Sequence, residues 1–174
     1  MKCAILATGP SMSQAVAISC ALFDLVVVVN DAFRLAPWAH ALAAQDFAWW
    51  RANPDAKDFA GRKFSSNEIA GVERVLGNSV CTGSSSGVLA LEVARRLAAE
   101  MDGPKRIELY GYENHNRNGY HYFGRHGGTL RTTQDNRFKV FEKQLSALGH
   151  LMKKEGFEIV NKTPDSDLRC FARG

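Results

Sequence analysis

Residues 3–31 read C-A-I-L-A-T-G-P-S-M-S-Q-A-V-A-I-S-C-A-L-F-D-L-V-V-V-V-N-D. A short apolar run at 3–7 meets a turn signal at Thr8, Gly9, Pro10 and Ser11. Ser11 or Ser13 then caps a helix carrying Val16, Ile18 and Leu22. The β-branched run at 24–29 has the pattern of a strand buried on both faces, and it stops at Asn30 and Asp31. Strand, turn, helix, buried strand is the opening of an α/β domain with a mostly parallel sheet.

The same alternation continues outward. A third short strand is expected at 41–44, then Asp46 and a helical turn bearing Trp49 and Trp50. A further strand is expected near 62–65 inside a polar segment. Ser84, Ser85, Ser86 and Gly87 lead into a helix reaching about Met101, with Leu89, Val93 and Leu97 on its apolar face. A strand at 106–110 closes on Gly111, Tyr112 and Glu113. The stretch 115–133 is polar, aromatic and Gly-rich, a long loop of the functional kind. Phe138, Phe141, Leu145, Leu148 and Met152 mark a long helix, and 158–160 a last strand. The expectation is one Rossmann-like, three-layer αβα domain over 1–174, with a lid-like loop at about 113–133.

Composition sets the limits. The 174 residues are 45% apolar and 23% charged, a globular balance that excludes a disordered chain or a disulfide scaffold. No apolar run approaches the roughly 20 residues of a membrane span, and no secretory leader pattern is read at the start. Cys3, Cys20, Cys81 and Cys170 form no C-x-x-C pair, so reduced thiols and a cytoplasmic setting are expected. The net charge of +4 favours an anionic partner. Between His115 and Lys143 six cations (Arg117, Arg125, Arg131, Arg137, Lys139, Lys143) face only Asp135 and Glu142.

In parallel sheets ligands sit at the carboxyl ends of strands, beside helix N-termini. Thr8, Gly9, Pro10 and Ser11, then Asn30 and Asp31, then Ser84, Ser85, Ser86 and Gly87, then Gly111, Tyr112 and Glu113 are therefore expected to meet in one nucleotide-binding crevice. The two Gly/Ser-rich helix entries offer backbone N–H groups suited to phosphate. Residues 110–126 hold all four tyrosines and His115, His121 and His126. Such rings stack on bases, and a histidine near its natural pKa serves as general base. The histidine spacings match no usual zinc pattern, so no metal is expected. His40 and His150 sit among apolar residues and are read as structural, and Trp38, Trp49 and Trp50 as core or interface anchors.

Five segments taken in order carry a resemblance. They are A-T-G-P-S-M-S at 7–13, V-V-N-D-A-F-R-L-A-P-W-A at 28–39, S-S-G-V-L-A-L-E-V-A-R-R-L at 85–97, R-I-E-L-Y-G-Y-E at 106–113 and H-Y-F-G-R-H at 121–126. Over roughly 4–164 the chain resembles the bacterial sialyltransferase-like superfamily, which includes DUF115 proteins similar to hydroxymethylpterin diphosphokinase. It looks like a short phage or prophage member. The resemblance implies that Gly9, Pro10 and Ser11 bound a nucleotide pocket and that Asn30 contacts the nucleotide. It places Ser86 and Gly87 near the sugar–phosphate, and Gly111 and Tyr112 beside the base. His126 best matches the base that deprotonates an acceptor hydroxyl, with His121 the nearby alternative. Tyr120 and Tyr122 match residues that stabilise the leaving phosphate. Arg125 is a further candidate for that task by its charge. Thr8 stands where these enzymes carry Asn, Glu113 where Asp is usual, and the lid segment is much shorter.

The expected function is a nucleotide-binding transferase, glycosyltransferase-like, using a CMP-sugar type donor. No cofactor is required, and Mg²⁺ enters only for diphosphokinase-like chemistry. The alternatives are a non-catalytic phage protein that sequesters a nucleotide in the host cytoplasm, and, more weakly, a nucleic-acid-binding or DNA-modifying protein. A homo-oligomer is compatible with each.

Overall fold

The computed structural model describes residues 1–76, 85–103, 105–124 and 135–174, with only the backbone at Asp135. Cys81, Ser84, Arg125, His126 and Arg131, singled out above, lie outside the described residues.

The strands are β1 (Lys2–Leu6), β2 (Leu25–Val29), β3 (Ala41–Ala43), β4 (Arg62–Ser65), β5 (Glu73–Arg74), β6 (Lys105–Tyr110), β7 (Phe157–Asn161) and β8 (Ala172–Arg173). They form one sheet in the order β5-β4-β3-β2-β1-β6-β7-β8, and every neighbouring pair is parallel. β1 is central: Ala4 pairs with Val26 on one side and Glu108 on the other. The chain works outward from β1 to β5, then crosses back to β6. Strand order therefore reverses between β1 and β6, where such sheets open a crevice.

The helices are α1 (Gln14–Ser19), α2 (Phe47–Ala52), α3 (Ser86–Ala99) and α4 (Asp135–Lys154). Alternation along the strands builds two cores. Ile5, Val27, Ala43 and Leu109 face α3 and α4, with Leu89, Val93 and Leu148. Ala4, Leu6, Val28 and Leu42 face the opposite layer, with Ala17, Phe33, Trp49 and Trp50. This is the expected three-layer αβα arrangement. All five residues of β2 are buried, as its β-branched run requires.

Local expectations differ from the structure in four places. α1 is only six residues long, so Leu22 falls in the turn before β2 and is 98% exposed. Ile18 is 59% exposed, and the inward positions are Ala17 and Cys20. Ser13 is the cap, accepting from Val16 N–H at 3.2 Å. β5 and β8 are two-residue edge strands, too short to leave a periodic signal. Trp38 and His150 are exposed rather than packed, whereas Trp49 and Trp50 are buried. His40 is also exposed, yet its Nδ1 accepts from Val26 N–H at 3.0 Å, which ties the entry of β3 to β2.

Candidate functional site

A cavity of about 210 Å³ lies at the carboxyl ends of the central strands. Of the residues expected to converge, Thr8, Gly9, Pro10, Asn30, Ser85, Ser86, Gly87, Gly111, Tyr112 and Glu113 line it, and Tyr120 and His121 of the loop join them. Segments more than a hundred residues apart in sequence thus share one wall set, because β1, β2 and β6 are neighbours. Ser11, Asp31 and Tyr122 do not line it. Ser11 stands behind the first turn, Asp31 accepts from Trp49 Nε1 at 3.1 Å, and Tyr122 stacks edge-on against Phe123.

The first turn is internally bonded. Gly9 N–H donates to Gly111 O at 3.1 Å and Met12 N–H to Gly9 O at 3.0 Å. Ser11 N–H donates to Glu113 Oε1 at 2.7 Å. A Cβ on Gly9 would collide with the Glu113 carboxylate and the Gly111 carbonyl, so only glycine lets β6 approach this closely. The expectation of freed amides for a phosphate is corrected here. A protein carboxylate, 3% exposed, holds the place an anion would take. Its other oxygen, Glu113 Oε2, is buried without a hydrogen-bond partner among the described residues.

The second entry is built differently. Ser85 caps α3, its side chain accepting from Val88 N–H at 3.2 Å. Ser86 Oγ accepts from Gln45 N–H at 2.9 Å, tying α3 to the end of β3. The two hydroxyls read as cradle groups are thus structural acceptors as well. The N–H groups of Ser86 and Gly87 have no carbonyl within the helix to meet, and both residues line the cavity. Tyr112 OH donates to Gly87 O at 3.0 Å and fixes this entry against β6. Burial pushes that hydroxyl far above the usual tyrosine range, so it stays a donor.

The histidines divide by role. His115 is 8% exposed: its Nδ1 accepts from Arg117 N–H at 3.2 Å and its Nε2 meets Asp165 O at 3.0 Å. One nitrogen is spent on the loop and the other on the segment after β7. Arg117 pairs with Asp167 at 2.5 Å and Asp165 at 3.3 Å and straps the loop to the segment after β7. The Asn118 hydrogen bond, with Arg117 beside it, holds the Asp165 carboxyl below its usual range, and Arg117 does the same for Asp167. His121 Nδ1 lies 3.0 Å from Thr8 Oγ1 inside the cavity, and the next residue, Tyr122, donates its N–H to Thr8 O at 2.7 Å.

The lining also includes residues that the sequence reading assigned elsewhere. Phe138, Phe141 and Leu145 of α4, with Leu168, form an apolar wall. Their three- and four-residue spacing was legible, but it reads equally as core packing, and Leu145 serves both. Asp46 lines it as well. No Lys or Arg is among the described lining residues, and the charged ones are Asp46 and Glu113, beside His115 and His121. Much of the basic stretch points outward: Lys139 and Lys143 are exposed, and Arg137 lies over the Phe141 ring at 5.6 Å. Among the described residues no group of three or more His, Cys, Asp or Glu could hold a metal ion.

No protein-family model, curated protein or solved structure matches the chain. Among the described residues no helix is long and apolar enough to cross a membrane.

Proposed function

We propose that the cavity binds the nucleoside part of a nucleotide and that the chain is a transferase using a nucleotide-activated donor, glycosyltransferase-like and of the CMP-sugar type. The observation that carries this reading is the meeting of a histidine–hydroxyl pair, a helix entry and an aromatic wall in one cavity at the point where strand order reverses. A planar base packs against Phe138 and Phe141, and Asn30 and Ser86 reach sugar hydroxyls. At about 210 Å³ the cavity is smaller than the roughly 300–1,000 Å³ of drug-sized sites. It takes a nucleoside and leaves the phosphate and the transferred group outside it, toward the entry of α3.

His121 takes the proton of the acceptor hydroxyl as that oxygen bonds to the sugar carbon and the nucleotide leaves with the bonding electron pair. General-base catalysis of this kind contributes about 10²–10⁴-fold. Tyr120 and Arg125 offset the charge on the leaving phosphate. Mg²⁺ is needed only if the group transferred is a diphosphate. The second reading, a nucleotide-sequestering protein without catalysis, is favoured by the bonding of the Ser11 amide to Glu113 rather than to a ligand.

The test is a thermal-shift screen with CMP, CDP, UDP, GDP, AMP and ATP, with and without Mg²⁺, followed by product analysis with the ligand that binds. A ligand at 100 times its Kd adds about 2.7 kcal/mol, a rise of roughly 5–10 °C at this chain length. A flat response to every nucleotide overturns the reading. Tight binding with intact ligand after long incubation with sugar acceptors selects the sequestering alternative. If a product forms, H121A lowers its rate at least about 100-fold.

A further inference from the structure

A second cavity, of about 540 Å³, lies between α4, β7 and residues 170–172, and it shares no lining residue with the first. Its size falls within the roughly 300–1,000 Å³ of small-molecule sites. The fold leaves room for it. β8 pairs only with Val160 and Asn161, so among the described residues no strand covers the outer edge of Phe157, Glu158 and Ile159. Gly149 stands inside α4, where glycine is disfavoured, and a Cβ there would collide with the Phe171 ring. Glycine is what lets Phe171 press this closely against the helix.

The lining divides by chemistry. Phe157 and Ile159 are buried, Cys170 and Phe171 half-buried, and together they make an apolar floor. Burial, with the charge of Glu142, pushes the Cys170 thiol up to about 11, so the sulfur stays neutral. The polar groups come from α4. Ser146, His150 and Lys153 are exposed and spaced four and three apart, so they share one face of the helix. Their side chains have no hydrogen bond or ion pair among the described residues. Glu158, the carboxylate among the described lining residues, is already taken by Arg106 at 2.7 Å. The cleft therefore joins an apolar floor to one uncompensated ammonium.

We propose that this cleft is a second binding site, for a small molecule with an apolar body and a single carboxylate. The body lies on Phe157, Ile159 and Phe171. Lys153 and His150, neighbours on the helix surface, meet the carboxylate. One ammonium matches one negative charge, whereas a polyanion needs a row of cations along the cleft. The floor is recessed behind α4, out of reach of a flat bilayer. Neither the residues nor the test involve the first cavity, so the site stands or falls apart from the transferase reading.

The probe is anilinonaphthalene sulfonate, an apolar ring system with one negative charge that stands in for the carboxylate. N-phenylnaphthylamine is the same ring system without the charge. Both are titrated into the full chain by fluorescence. The charged dye is expected to bind about tenfold more tightly than the neutral one. Decanoate displaces it and decanol does not. K153E weakens the charged dye by about tenfold and leaves the neutral dye as it was. S146W fills the cleft and removes both. No binding of the charged dye overturns the proposal, and so does binding that is unchanged in K153E and S146W, which puts the dye elsewhere on the chain. Equal affinity for the two dyes in the wild type overturns the assignment of an acid. If S146W fails to fold, K153E, a substitution at an exposed position, carries the test alone: equal loss or equal retention of the two dyes overturns the proposal.

Discussion

The two helix entries look alike in sequence and differ in substance. Each brings Gly and Ser to the mouth of a helix at the carboxyl edge of the sheet. The first leads into a six-residue helix, and its turn amides are bonded inside the protein, one of them to a carboxylate from β6's end. The second leads into a 14-residue helix whose first two residues border the cavity. A helix-entry motif announces unsatisfied amides, and what satisfies them is decided by residues far away in the chain. Glu113 stands in for an anion at one entry and at the other no such group is recorded among the described residues.

Substitutions break or sharpen that contrast in graded steps. The largest effect is expected within α3, the helix of the second entry. Glu92 of α3 is fully buried and accepts from Arg95 and Arg96 at 2.7–2.9 Å. Burial raises its pKa, but the hydrogen bonds of the two guanidinium groups outweigh this and leave it below the usual range. E92Q is expected to cost about 3 kcal/mol at neutral pH, the low end for a broken buried pair because Arg95 retains Glu155. The sign in pH follows from the lowered folded value. The stabilisation is complete above the unfolded pKa of about 4.3 and is lost as pH falls through the folded one. Acid unfolding curves of E92Q are therefore flatter in that window than those of the wild type.

At the first entry G9A places a methyl group against the Glu113 carboxylate and the Gly111 carbonyl. Overpacking of this kind costs about 2–3 kcal/mol in chemical denaturation. E113A leaves Ser11 N–H without its acceptor and costs about 2 kcal/mol. It also vacates the anion's place, so sulfate should raise the melting temperature of E113A more than that of the wild type. An equal sulfate response in both would mean that Glu113 is not what closes the turn. The smallest pair compares the caps. S85A loses about 1 kcal/mol, and S13A about 0.5 kcal/mol because α1 is short and half exposed.

The alternation of strands and helices and the layer type were legible because β2 is a buried β-branched run and the α3 segment an amphipathic helix. The convergence of residues 8–10, 30, 85–87 and 111–113 followed from a topological rule, not from any single motif. What stayed hidden was pairwise. Nothing near Ser11 in sequence signals that Glu113 will take its amide, and nothing near His121 points to Thr8. Phe138 and Phe141 fit the core pattern, so their place on the cavity wall emerges only once α4 is laid against α3 and β7. The candidate base His126 lies outside the described residues, which leaves His121 as the imidazole whose surroundings can be tested directly.

The central position of β1 has a consequence for how the molecule is made. Its partners are β2, which follows at once, and β6, which ends at Tyr110. A chain emerging from the ribosome can assemble β1 to β5 early, but the inner edge of β1 stays bare until β6 arrives. An unpaired edge of Cys3, Ala4, Ile5 and Leu6 is a template for adhesion between nascent chains. The residues that close it are followed immediately by Gly111, Tyr112 and Glu113, so the cavity is completed only when that exposed edge is sealed.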